Sequence, residues 1–228
     1  MVELITDLRT EVVRANLERV QGEIAAALAR SQSLRTAPGR CAVEVLAATK
    51  YVASHELGVL AEAGVRLVGE NRAQDLQAKV AAHGDLFEWD FIGQLQSRRL
   101  RLIVAHVRRI HSVASHSALR ELERHLELAR PGLQILLEVN IAGDAGKAGI
   151  AADEIAAYVA RSPVPVAGLM TMPPLSDDPQ DSRRWFRMLR ELADAHGLQH
   201  LSMGTSQDYL VAVEEGATIV RIGSTLYR

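Results

Sequence analysis

The stretch Val43-Glu-Val-Leu-Ala-Ala-Thr-Lys50 is a short, mostly apolar run that closes on two alanines, a threonine and a lysine. Similar runs recur at Arg66–Gly69, Trp89–Ile92, Ile110–Val113, Leu133–Val139, Val164–Met170, His200–Met203 and Thr218–Ile222. They lack the strict alternation of a half-solvated sheet, which suits parallel strands buried on both faces. The intervening spacing predicts helices over Ser54–Ala63, Arg72–Ala82, Ser97–Val107, Ser117–Ala129, Ala152–Ala160, Asp181–His196 and Gln207–Glu214. Ser54 and Gly64 are placed to cap the first of these, and Asp181 and Gly197 to bracket the sixth. Eight strands separated by helices predict an α/β fold, a single-domain closed (β/α)8 TIM barrel over residues 1–228. A doubly wound open sheet is the alternative, but no G-x-G-x-x-G follows any strand.

Upstream of the first strand, Leu8, Val12, Val13, Leu17, Val20, Ile24 and Leu28 recur at mostly three- and four-residue spacing. That period predicts an amphipathic helix over Thr6–Arg30, then a loop through Ser31–Arg40 broken by Pro38 and Gly39. Too little sequence follows the eighth strand for a full eighth helix, so the extra N-terminal helix is expected to fill its place in the outer ring.

The 228 residues are 48% hydrophobic and 24% charged. A chain of this size buries about 70% of its unfolded surface without needing disulfide or metal staples. The net charge of −2 argues against a sequence-independent grip on nucleic acid or anionic lipid. Cys41 is the only cysteine, which rules out an internal disulfide and a cysteine-based zinc cluster. It is expected to pack at the start of the first strand. The histidines at 55, 83, 106, 111, 116, 125, 196 and 200 form no metal-binding motif, so no metal is expected. No apolar run reaches bilayer length, and the N-terminus MVELITDLRTEVVRANLERV is charged throughout. A cytoplasmic, monomeric protein is expected.

Only Lys50, Lys79 and Lys147 are lysines among the 26 basic residues. Arginine cannot supply a neutral amine nucleophile, so each lysine is a candidate for a role arginine cannot fill. Lys79 reads as part of a polar helical face. In a (β/α)8 barrel the working groups sit where strands end and the following loops begin. Those ends read Thr49-Lys50, Gly69-Glu70-Asn71, Gly93-Gln94, Asn140, Thr171-Met172-Pro173, Gly204-Thr205-Ser206 and Gly223-Ser224. The last two loops have the small residues that let backbone approach an anion, and they follow the strands that usually cradle phosphate in this fold. In Ile219-Val-Arg-Ile-Gly223, positions 219, 221 and 223 share a face, so Arg221 should point into the barrel mouth. Its partner there is an internal carboxylate or a ligand acceptor. Lys50, desolvated near that cation, would have a lowered pKa and attack an aldehyde. An amine opposite a phosphate cradle with an arginine between them outlines a pyridoxal phosphate site. A Lys50–Glu70 ion pair is the alternative.

The chain also resembles the pyridoxal phosphate homeostasis protein family from Leu46 onward. The ordered motifs are Leu46-Ala-Ala-Thr-Lys50, Gly69-Glu-Asn71, Trp89-Asp-Phe-Ile-Gly-Gln-Leu-Gln-Ser97, Val139-Asn-Ile, Lys147-Ala-Gly149, Gly168-Leu-Met-Thr-Met-Pro173, Leu201-Ser-Met-Gly-Thr-Ser-Gln-Asp208 and Val220-Arg-Ile-Gly-Ser224. The resemblance implies a fold-type III barrel like the alanine racemase N-terminal domain, with pyridoxal 5′-phosphate (PLP) as cofactor. It implies that Lys50 carries the Schiff base, Asn71 lines the cofactor's face and Arg221 faces the pyridine nitrogen. Ser206, Gly223 and Ser224 would hold the phosphate. Thr49 replaces a usual serine, Asp90 a common histidine and Thr205 a frequent methionine. Arg98-Arg99 stand for an asparagine-lysine pair, and the ending is shortened to Leu226-Tyr227-Arg228.

The implied role is vitamin B6 homeostasis with effects on amino-acid and keto-acid balance, without an established turnover. Apo PLP-dependent enzymes are its implied transient partners. The alternatives are a PLP-dependent amino-acid racemase or lyase, and a phosphosugar-handling barrel. The related racemases add a second domain and a tyrosine base. With the sequence ending at Arg228 and no tyrosine evidently placed to oppose Lys50, a binding protein is the expectation.

Overall fold

The computed structural model describes residues 4–31 and 42–228. Eight parallel strands close a barrel in chain order: β1 Glu44–Ala48, β2 Leu67–Glu70, β3 Glu88–Phe91, β4 Arg109–Val113, β5 Gln134–Glu138, β6 Val166–Met170, β7 His200–Thr205 and β8 Ile219–Ile222. Closure is made by β1 on β8, with Leu46 opposite Arg221 in register. Each strand overlaps its sequence-predicted run.

Alternation along the strands separates two apolar layers. Leu46, Leu67, Leu136, Met170 and Ile219 form one buried cluster inside the barrel. Val68, Ile110, Ile135, Leu169, Leu201, Val220 and Ile222 belong to the larger cluster beneath the helices. Burying each such large side chain contributes about 1.5–3 kcal/mol. The expectation for β8 holds: Val220 and Ile222 face the helices, and Arg221 faces inward.

The outer ring comprises α1 Thr10–Arg30, α2 Leu57–Glu62, α3 Ala73–His83, α4 His116–Arg124, α5 Ile155–Arg161, α6 Arg183–Ala195, α7 Tyr209–Glu214 and α8 Ser224–Tyr227. α1 buries Val13, Leu17, Val20, Ile24 and Ala27. It packs beside α7 and the four-residue α8, filling the expected gap. Asn16 Nδ2 donates to the carbonyls of Leu226 and Arg228 at 3.2 and 2.8 Å, which satisfies the end of α8.

Several local expectations need correction. The first helix begins at Thr10 rather than Thr6, because Ile5 bonds as extended chain to Tyr51 and Ala53 at 2.7 and 3.0 Å. Ser97–Leu102 is a 3₁₀ helix followed by turns, not an α-helix to Val107. Leu100, Ile103 and Val104 are still buried, since a three-residue period also keeps Leu100 and Ile103 on one face. Ser54 makes no capping bond. Asp181 does not cap the sixth helix: a 3₁₀ turn, Pro179–Ser182, leads into it, and Asp178 caps that turn, accepting from Gln180 N at 2.9 Å with Pro179 pre-set for the first position. Gly64 and Gly197 do end their helices with positive φ, +96° and +65°. Pro38, Gly39 and Cys41 lie outside the described residues. Among the described residues, no helix is long and apolar enough to cross a membrane, and no cluster of three or more His, Cys, Asp or Glu could hold a metal ion.

Candidate functional site

A cavity of about 630 Å³ opens at the C-terminal ends of the strands. All six residues singled out from the sequence line it: Lys50, Asn71, Ser206, Arg221, Gly223 and Ser224. Close backbone approaches shape its walls. A Cβ on Gly93 would lie 2.0 Å from the Asn71 carbonyl oxygen, so only glycine lets the loops after β2 and β3 touch and bring Asn71 to the cavity. Gly204 has a φ of +90°, and a Cβ there would fall 2.6 Å from that of Ala212. The chain thus turns sharply after β7 and delivers Thr205 and Ser206 to the rim. Asp208 holds that turn, accepting from Thr205 N at 2.7 Å and from the Ser182 hydroxyl at 2.9 Å.

Ser206 Oγ accepts from Gly223 N at 3.1 Å, so the two loops expected to cradle an anion meet each other directly. At Gly223 a Cβ would meet only Ala48, at 3.8 Å or more. Packing does not demand a glycine there; the missing side chain leaves room at the cavity wall. Arg221 is 7% exposed. Its Nη1 donates to Ser202 Oγ and the Ser202 carbonyl at 2.6 and 2.8 Å, and its Nη2 to the Thr171 carbonyl at 3.0 Å and Met172 Sδ at 2.9 Å. Its partners are thus carbonyls, a hydroxyl and a thioether rather than the internal carboxylate considered from the sequence. Burial pulls the guanidinium down to about 10, although Asp208 and Glu138 oppose the shift.

Lys50 is exposed at the rim, with its ammonium 4.8 Å from the Tyr51 ring centroid. This corrects the expectation of a desolvated amine. Glu70 does not pair with Lys50. It accepts from Lys79 Nζ at 2.5 Å, from the Thr49 hydroxyl at 2.6 Å and from Asn71 N at 3.3 Å. Lys79 is therefore buried rather than surface-facing, and its ammonium also donates to the Thr49 carbonyl at 2.8 Å. This clamp ties together the residues immediately before Lys50 and Asn71. Sequence reasoning missed it, although the scarcity of lysine was a usable signal. It also missed Ile5 and Tyr227 in the cavity wall. The Tyr227 hydroxyl donates to Ala48 O at 3.1 Å, and burial holds its pKa above the usual range. Tyr158 stacks on His116 outside the site, and Tyr209 bonds to Glu23 of α1.

Residues 24–228 match the family described as alanine racemase, N-terminal domain. The pyridoxal phosphate homeostasis protein of Aquifex aeolicus (strain VF5) is 38% identical over 204 residues, covering 85% of this chain and 90% of the relative. That of Mycobacterium leprae is 30% identical, covering 99% of this chain and 95% of its own length. The chain belongs to the pyridoxal phosphate homeostasis protein family. Among solved structures, PipY of Synechococcus elongatus PCC7942 with PLP bound superposes on this family member with a TM-score of 0.72 at 32% identity, over 89% of this chain and all of PipY. A protein from Bifidobacterium adolescentis gives a TM-score of 0.83 at 30% identity, over 99% and 98% of the two chains. Alanine racemase from Corynebacterium glutamicum, at 17% identity and a TM-score of 0.64, shares the fold.

Proposed function

We propose that this protein binds pyridoxal 5′-phosphate and serves intracellular vitamin B6 homeostasis, with effects on amino-acid and keto-acid balance. The observation that carries this reading is the convergence of a primary amine, an inward arginine and two small-residue loops on one cavity. The residues fit the group chemically. Pyridoxal phosphate supplies a phosphate dianion and an aldehyde that couples reversibly to amines. Lys50 supplies the amine. Ser206, Gly223 and Ser224 would hold the phosphate, the Gly223 amide exchanging its present acceptor, Ser206 Oγ, for a phosphate oxygen, and the unfilled space beside Gly223 admits its approach. Arg221, whose Nε–H has no partner among the described residues, would face the ring nitrogen, and Asn71 would line the ring's face. PipY, a relative with PLP bound, supports the same ligand here.

The exposure of Lys50 favours a site that loads and releases its ligand over one that sequesters a reaction from water. A racemase exchanging protons on both faces of a substrate needs a second base within hydrogen-bond reach. The Tyr51 ring lies against the Lys50 ammonium itself, and the Tyr227 hydroxyl is engaged by Ala48 O, so the binding reading stands above the racemase or lyase one. We take residues 1–228 as one domain acting as a cytoplasmic monomer, with apo PLP-dependent enzymes as transient partners. The test is the visible spectrum of the purified protein, with and without borohydride, followed by peptide mapping. Reducible absorbance and a pyridoxyl adduct on Lys50 support the proposal; a colourless protein that takes up no added PLP overturns it.

A further inference from the structure

Inside the barrel, a line of polar side chains runs from beneath the cavity toward the N-terminal ends of the strands. Arg221 Nη1 lies 2.6 Å from Ser202 Oγ. That oxygen is 2.9 Å from His111 Nδ1, and His111 Nε2 is 3.0 Å from Asp90 Oδ2. Asp90 in turn accepts from Arg108 Nε at 2.9 Å and Nη2 at 3.2 Å, and Arg108 also clasps Glu44. Asp90 and His111 are fully buried, as is Ser202. The Asp–His–Ser composition is that of a nucleophilic triad. Here the serine is unreachable and its oxygen already accepts from a guanidinium, so it has no substrate to attack.

The chain of bonds has one consistent direction. Burial raises the pKa of Asp90, but bonds from His111 and Arg108 outweigh it and hold the carboxylate below its usual range. An ionised carboxylate only accepts, so His111 carries its proton on Nε2. Burial, with Arg221 and Arg109 nearby, keeps the ring neutral despite Asp90. Nδ1 is then an acceptor, and the Ser202 hydroxyl must donate to it. That leaves the Ser202 lone pairs aimed at Arg221. The terminal nitrogens of Arg221 donate to Ser202, Thr171 and Met172. Its Nε–H has no partner among the described residues, and Arg221 lines the cavity.

We propose that Asp90, His111 and Ser202 are positioning residues that fix Arg221 with its Nε–H free for a ring-nitrogen acceptor in the cavity. Only the identity of that acceptor rests on the function proposed above. The wild-type, ligand-free protein gives the first test. Long-range ¹H–¹⁵N NMR should show neutral His111 protonated on Nε2, and the Arg221 Hε signal should be sharp, with hindered guanidinium rotation. A proton on Nδ1, a charged ring or a freely rotating Arg221 overturns the proposal whatever the ligand does.

The second test is Ser202→Ala, which removes the hydroxyl acceptor of Arg221 Nη1 and should loosen the guanidinium. His111→Phe, which keeps a buried ring but removes the acceptor that orients the Ser202 hydroxyl, should loosen it as well. Pyridoxine 5′-phosphate, which has the ring nitrogen and phosphate but no aldehyde, is the binding probe. Each variant should weaken it about tenfold, the worth of one well-made hydrogen bond, while inorganic phosphate binds unchanged. Equal loss for both probes, or none for either, overturns the positioning role. If the wild type shows the predicted NMR signature yet binds inorganic phosphate and not pyridoxine 5′-phosphate, the ligand assignment fails and the relay stands.

Discussion

Replacing Lys79 with methionine tests the clamp beneath Lys50 directly. Glu70 is fully buried and Lys79 is 5% exposed. Removing one member of such a pair strands a buried charge, which typically costs about 3–5 kcal/mol. Glu70 would still accept from the Thr49 hydroxyl and the Asn71 amide. The lower end of that range, about 3 kcal/mol, is therefore expected. In a chain of this length that corresponds to a fall in Tm of about 6–12 °C. Restoring neutrality with the double variant Glu70→Gln/Lys79→Met should recover much of the loss, with a coupling energy of about 2–3 kcal/mol. Urea unfolding of the four proteins closes the cycle. Because Lys79 also anchors the Thr49 carbonyl, Lys79→Met should lower the yield of borohydride-trapped adduct on Lys50. A stability loss below about 1 kcal/mol, or a double variant no more stable than the single, would refute the clamp.

Other outcomes follow from the same structure. Borohydride reduction with PLP should label Lys50, and a label on Lys79 or Lys147 would overturn the assignment; Lys50→Ala should still bind PLP through the phosphate, without the reducible absorbance. Ser206→Ala should weaken PLP about 10- to 150-fold, the equivalent of one charge-assisted bond of about 1.5–3 kcal/mol, and leave pyridoxal unchanged; equal effects on both ligands would remove the loops after β7 and β8 from the phosphate role. Burial and nearby Arg109 push His200 down to about 4, and burial also holds His111 low, so both are neutral in the folded chain. The unfolded chain therefore takes up protons first as pH falls below about 6.5, and stability should decline from there to about 4. A His200→Gln variant should show a shallower decline in urea midpoint; a wild-type midpoint constant between pH 7 and 5 would contradict this.

Local patterns carried the barrel. Eight apolar runs, a helix period before the first and small residues at strand ends depend only on neighbours along the chain. Parallel strands buried on both faces leave a continuous apolar signature. The same period placed Arg221 inside and gathered Lys50, Asn71, Ser206, Gly223 and Ser224 at one end, because every strand of such a barrel points the same way. What the sequence left open were contacts across the barrel. Glu70 and Lys79 are nine residues apart, but only the packing of α3 against β2 makes them a buried pair rather than a strand end and a polar face. Asp90, His111, Ser202 and Arg221 come from four strands, and strand closure alone brings them into hydrogen-bond reach. Whether Lys50 would be enclosed or open to water depended on the loops around it, and loop packing has no period to read.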